Sequence, residues 1–120
     1  MERSLVLKLT AGSDAPERAS QGMTVAATAV AAGVTVSLWF TGESAWFAVP
    51  GRAEQFQLEQ AAPLVDLLEA VLESGTVTLC TQCAARRGIT PADVIPRVRV
   101  AGAATFVQEI LAPGVQALVY

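Results

Sequence analysis

The sequence predicts a single three-layer α/β domain, with helices on both sides of a five-stranded, largely parallel sheet. Three observations predict it. Five short runs of β-branched and aliphatic residues alternate with helical patterns along 120 residues, a length suited to one domain with a real core. The connections between them are short. Runs 5–9, 34–40 and 115–119 are apolar almost throughout, as expected of strands covered on both faces.

Leu5 to Leu9 is the first strand, and Gly12-Ser13-Asp14 turns the chain. Asp14 followed by Glu17 suits a helix start, with Pro16 in the first turn. Ala19, Met23, Ala26, Ala27 and Val30 then share one helical face up to Gly33, and their small size lets the helix lie close to a sheet. Val34 to Phe40 is the second strand, turned at Thr41-Gly42. Glu43 to Val49 reads as a short helix and Pro50-Gly51 as a loop. Pro63 opens a helix through Leu72, with Leu64, Leu67, Leu68 and Val71 at helical spacing, and Gly75 closes it. Thr76 to Cys80 is the third strand, Cys83 to Arg87 a short helix stopped by Gly88, and Thr90 caps a turn at Pro91 to Val94. Val98 to Val100 is the fourth strand, Ala103 to Leu111 a helix, and Val115 to Val119 the last strand.

Composition narrows the classes of function. Apolar residues make up 52% of the chain and charged residues only 16%, against the usual share of about 25%. So thinly charged a chain is expected to hide part of its surface in a homo-oligomer. A net charge of −3, with cationic pairs only at Arg86–Arg87 and at Arg97 and Arg99, argues against a nucleic-acid partner. Met23 to Gly42 carries no charge over about the length of a membrane span, but Gly33 divides it into an alanine-rich half and a β-branched half. That is helix, turn and strand, so no membrane association is expected. Met1-Glu2-Arg3 leads directly into a strand without an export signal, which points to a cytoplasmic protein with reduced thiols. No G-x-G-x-x-G or P-loop pattern occurs, and no cofactor is expected.

The chemistry concentrates in Cys80-Thr81-Gln82-Cys83, which directly follows the third strand and holds both cysteines. In open parallel sheets, ligands and reactions gather at the carboxyl ends of strands. That rule places Thr10 to Asp14 (with Gly12, Ser13 and Asp14), Thr41 to Ser44 (with Gly42) and Cys80 to Cys83 on one rim. A thiol at a strand-to-helix junction sits beside unpaired helix N–H groups, which favour the reactive thiolate. Four readings of the pair stand. Zinc is the weakest, because one chain supplies two thiols and no histidine, although two subunits can supply four. A dithiol–disulfide switch, a single sulfur-carrying thiolate assisted by the other cysteine, and two ordinary buried cysteines complete the set.

The absence of histidine removes the usual base of a cysteine hydrolase, whereas thiol–disulfide and persulfide exchange need only a thiolate and a good sulfur leaving group. Arg86 and Arg87 share the helical face of Cys83, either as electrostatic support for a thiolate or as a solvated helix end. Trp39, Phe40, Trp46, Phe47 and Phe56 belong to a core or subunit contact more readily than to a pocket.

Together these residues resemble the DsrE/DsrF-like family across the whole chain. The resemblance rests on the opening strand with Gly12 and Asp14-x-x-Glu17-Arg18-Ala19, the alanine-rich helix ending at Gly33, the Thr41-Gly42 turn, and Cys80 placed ahead of Arg86-Arg87-Gly88. It implies a small three-layer domain assembling as a trimer or hexamer. It also implies a persulfide on Cys80, accepted from a sulfur-donor protein and passed to an acceptor, in the manner of a sulfurtransferase. Cys83 stands outside the pattern as a resolving or assisting thiol. The alternatives from other classes are a Cys80/Cys83 oxidoreductase or redox sensor and a non-catalytic oligomeric scaffold or ligand-binding module.

Overall fold

A computed structural model describes residues 3–120. Met1 and Glu2, on which the reading of the chain start partly rests, lie outside the described residues. Five parallel strands form one sheet: β1 (Ser4–Leu9), β2 (Thr35–Phe40), β3 (Thr76–Cys80), β4 (Arg99–Ala101) and β5 (Val115–Val119). Their order is β4-β3-β2-β1-β5. The helices are α1 (Pro16–Ala31), α2 (Arg52–Gln55), α3 (Leu64–Ser74), α4 (Thr81–Arg86) and α5 (Ala103–Ile110), with 3-10 turns at Gly42–Ala48 and Pro91–Asp93. None of the described helices is long and apolar enough to cross a membrane.

The two faces of the sheet differ chemically, because side chains alternate along each strand. Leu7, Leu9, Leu38, Phe40, Val77 and Leu79 point into one layer and are at most 1% exposed. Ala19, Met23 and Ala26 of α1, and Leu64, Leu68 and Val71 of α3, close that layer in a single core. The small residues of α1 do what their spacing promised: even an added Cβ at Gly22 would come within 2.8 Å of Leu9 Cδ1. On the opposite face Lys8, Trp39, Thr78 and Arg99 lie side by side in register across β1, β2, β3 and β4. Helix α5 covers that face, its Phe106 set edge-on to Trp39 with ring centroids 5.3 Å apart.

Several sequence expectations are corrected. The last strand is not covered on both faces: β5 is the edge strand of the described sheet, paired only with β1, and Val119 is 65% exposed. Asp14 does not cap α1. Ala15 holds that position, and the Asp14 carboxylate instead accepts the N–H of Gly12 at 2.9 Å, closing the preceding turn on itself. The short helix expected at Glu43 to Val49 is present as a 3-10 helix at Gly42–Ala48, whereas the presumed loop after Pro50 contains the single turn α2. The fourth helix starts at Thr81, directly after the strand, so Cys80 itself is its N-cap.

Leu38→Ala would leave a cavity between the sheet and its α1/α3 layer. It should cost about 2–5 kcal/mol in urea unfolding; a loss below about 1 kcal/mol would mean that this layer collapses around the gap.

Candidate functional site

Three strand ends build the site. At the end of β1, Thr10 anchors the chain terminus: its N–H and its hydroxyl both donate to the Tyr120 carbonyl, at 2.8 and 2.7 Å. At the end of β2, Thr41 opens the 3-10 turn with a capping box, in which the buried Ser44 hydroxyl accepts the Thr41 N–H at 2.9 Å and donates to the Leu9 carbonyl at 2.6 Å. This lashing presses the turn against β1. An added Cβ at Gly42 would come within 2.7 Å of the Thr10 carbonyl oxygen, and its φ of +54° lies in the left-handed region, so glycine is required. The turned peptide sends the Gly42 N–H to Cys83 Sγ at 3.2 Å.

At the end of β3, Cys80 is half-buried and Cys83 is buried, and both are free thiols. The two occupy the N-cap and third positions of α4, so both sulfurs sit over the first turn. Partial burial pushes the Cys80 thiol up. The N–H of Cys83, the Cys83 thiol, the N–H of Gln82 and the charge of Lys8 act the other way, and together they hold Cys80 below the ordinary cysteine value. These N–H contacts are looser than a closed cap hydrogen bond.

Cys80 and Cys83 open onto a cavity of about 610 Å³ at this edge of the sheet. Lys8, Trp39, Phe106, Thr10, Thr41 and Gly42 line it, together with Thr81 and Gln82 of α4 and with Gly102 and Ala103 at the start of α5. The Lys8 ammonium lies 5.2 Å from the Phe106 ring centroid. The Trp39 indole is held from behind: its N–H donates to Glu109 at 3.0 Å, Ser37 donates to the same carboxylate oxygen at 2.7 Å, and Arg99 pairs with the other oxygen. Burial raises the Glu109 carboxyl, but these donors and the Arg99 charge outweigh it and lower it.

The structure brings together Cys80, Cys83, Thr41 and Gly42 from the sequence reading. It does not bring Gly12, Ser13 or Asp14 into the cavity, because the chain leaves the rim after Thr10. Gly12 serves packing instead, since a Cβ there would come within 2.5 Å of the Glu43 carbonyl oxygen. The two arginines part: Arg86 takes the solvated helix-end reading, and Arg87 takes neither. Arg86 is exposed at the end of α4. Arg87 is committed to the Glu43 carboxylate, at 2.7 and 2.9 Å, and to the Cys83 carbonyl at 3.1 Å. It therefore clamps α4 to the 42–48 turn, and the cation acting on Cys80 is Lys8. Of the aromatics, Phe40 and Phe47 enter the core, while Trp39 faces the cavity. Lys8 and Phe106 escaped the sequence reading. The period-2 position of Lys8 in an otherwise apolar strand was the available signal, and Phe106 had none.

With fold and site in view, the comparisons decide the family. The sequence profile of the DsrE/DsrF-like family matches residues 4–118. The chain belongs to this family. The DsrE-like fold is equally plain in solved structures: the ychN protein from E. coli superposes with a TM-score of 0.80 at 16% identity, covering 100% of both chains. A protein of unknown function from Methanobacterium thermoautotrophicum superposes at 0.72 with 9% identity, over 99% of this chain and 100% of its own. No curated protein sequence matches the chain.

Two measurements probe this DsrE-like site. The alkylation rate of Cys80 should rise with pH around a midpoint below that of a free cysteine, and Lys8→Met should move that midpoint upward. An unmoved midpoint would remove Lys8 from the account. The second concerns Glu109, whose stabilising charge is fully present above its unfolded pKa and is lost as pH falls through the lowered folded value. Glu109→Gln should therefore cost about 1 kcal/mol at neutral pH, after solvent screening, and nothing in acid. A pH-independent difference in melting temperature would show that the carboxylate charge is irrelevant.

Proposed function

We propose that this DsrE-like protein is a sulfur carrier, with a persulfide held on Cys80 and exchanged between proteins. The observation that carries the reading is the half-buried Cys80 thiol, lowered by the first turn of α4 and by Lys8, opening onto a cavity of about 610 Å³. Loading is a displacement. The Cys80 thiolate attacks the terminal sulfur of a donor persulfide, a new sulfur–sulfur bond forms, and the donor's thiolate leaves with the electron pair. Unloading reverses the roles with an acceptor thiolate. Neither step needs a histidine, and this chain has none. The indole of Trp39 and the ring of Phe106 supply an apolar wall that limits hydration of the sulfur, while Lys8 offers a fixed counter-charge.

The reading includes a homo-oligomer, a trimer or a hexamer. Its support is the apolar surface that a lone chain leaves bare: Val107 of α5 at 46%, Leu111 just past α5 at 75%, and Val119 of the edge strand β5 at 65% exposure. Two free thiols suit a reducing compartment such as the cytoplasm. A second reading, a dithiol oxidoreductase, is favoured by the placement of Cys83 on the first turn beside Cys80.

Incubation with a small persulfide donor, followed by intact-mass analysis, separates the readings. Wild-type protein should gain the mass of one sulfur and Cys80→Ser should not; equal loading of both would remove Cys80 from the role. A reversible loss of two hydrogens requiring both cysteines, with neither sulfur uptake nor sulfide release, would favour the oxidoreductase. Thiols inert to alkylation at neutral pH would favour a non-catalytic scaffold. For the assembly, Leu111→Glu should lower the mass measured by sedimentation to that of a single chain, and an unchanged mass would place the contact elsewhere.

A further inference from the structure

Cys83 is not needed for a single-thiol carrier, yet the fold invests in placing it. Gly42, where only glycine fits, aims its N–H at Cys83 Sγ across 3.2 Å. The Arg87–Glu43 pair binds α4 to the same turn and also takes the Cys83 carbonyl. The result is a second, more deeply buried thiol fixed one turn of α4 from Cys80, at the inner side of the cavity that both line. On the first turn of the helix that Cys80 caps, the Cys83 thiol is within reach of Cys80 Sγ, the atom to which a carried sulfur is bonded.

We infer that Cys83 discharges the persulfide as sulfide when no acceptor arrives, a sulfide-releasing activity that rests on the carrier reading above. The Cys83 sulfur attacks Cys80 Sγ, and a Cys80–Cys83 disulfide bond forms. The bond to the carried sulfur breaks, and that atom leaves with the electron pair and the Cys83 proton as hydrosulfide. Atoms and charge balance: a persulfide anion and a thiol become a disulfide and a hydrosulfide ion. The carried sulfur is reduced, the cysteine pair is oxidised, and no outside oxidant takes part. The hydrosulfide departs into the cavity, where Lys8 offers the nearest positive charge. Return to the dithiol requires two electrons from an external thiol reductant.

The wall between carrying and releasing is therefore the time spent without an acceptor. An intramolecular thiol competes well, because its reaction needs no encounter.

The test follows one turnover under anaerobic conditions. Protein is loaded with a small persulfide donor, freed of the donor, and followed by intact mass and by a sulfide-sensitive probe. Wild-type protein should release one equivalent of sulfide while its mass falls to that of the dithiol less two hydrogens. Cys83→Ser and Cys83→Ala should keep the added sulfur roughly tenfold longer or more, and release no sulfide. Wild-type protein that holds its sulfur as long as the variants overturns the inference and leaves the carrier standing. Loss of two hydrogens without sulfide overturns it in favour of plain dithiol oxidation. If neither wild type nor variants take up sulfur, the carrier reading fails and the inference fails with it. The wild-type measurement alone suffices should the variants fold poorly.

Discussion

The parallel register of the three central strands is the constraint on which the rest of the structure depends. Because Lys8 pairs with Trp39, and Trp39 with Thr78, a cation and an indole stand in line two residues short of Cys80 on the same face. A slip of one residue between any two strands would turn that strand's set into the α1/α3 layer and bring leucines to the cavity. The register is protected by what it buries: Leu7, Leu38 and Val77 fill the opposite layer in the same pairing. Core packing and site geometry are thus two consequences of one alignment.

The carboxyl edge then converts register into chemistry. Parallel strands all deliver their chain ends to one side, so three loops meet there. Thr41 and Ser44 tie the second loop to the first, and Arg87 and Glu43 tie the fourth helix to the second loop. Most of these contacts involve neutral or half-exposed groups, each modest in free energy. Their value is positional, since they hold two sulfurs and one peptide N–H in a fixed relation. The lowered Cys80 thiol follows from that relation, as several weak favourable contacts overcome a partial desolvation.

The outer face of α5 shows what a lone chain leaves unfinished. Helix α5 lays Phe106 and Glu109 onto Trp39 but turns Val107 outward, and Leu111, just past its end, is exposed as well. The site wall and the bare apolar surface therefore belong to one helix.

The sequence by itself determined the order of elements, the parallel class, and the position of both cysteines at a strand end. These are local properties: β-branched runs, helical spacing and punctuating glycines act over a few residues. The Cys80-to-Arg-Arg-Gly spacing also carried the family. What only the tertiary structure decided is long-range. Arg87 looked like support for a thiol because it shares a helical face with Cys83, but Glu43, far away in sequence, takes it. Asp14 looked like a helix cap and closes its own turn instead. Lys8 and Phe106 sit beside Cys80 through pairing across the sheet and the return of α5; the lone cation in an apolar strand marked Lys8, but local spacing did not say what it would face. Local sequence selects backbone conformation, whereas the charge and walls around a sulfur are set by which distant strands and helices come to lie against it.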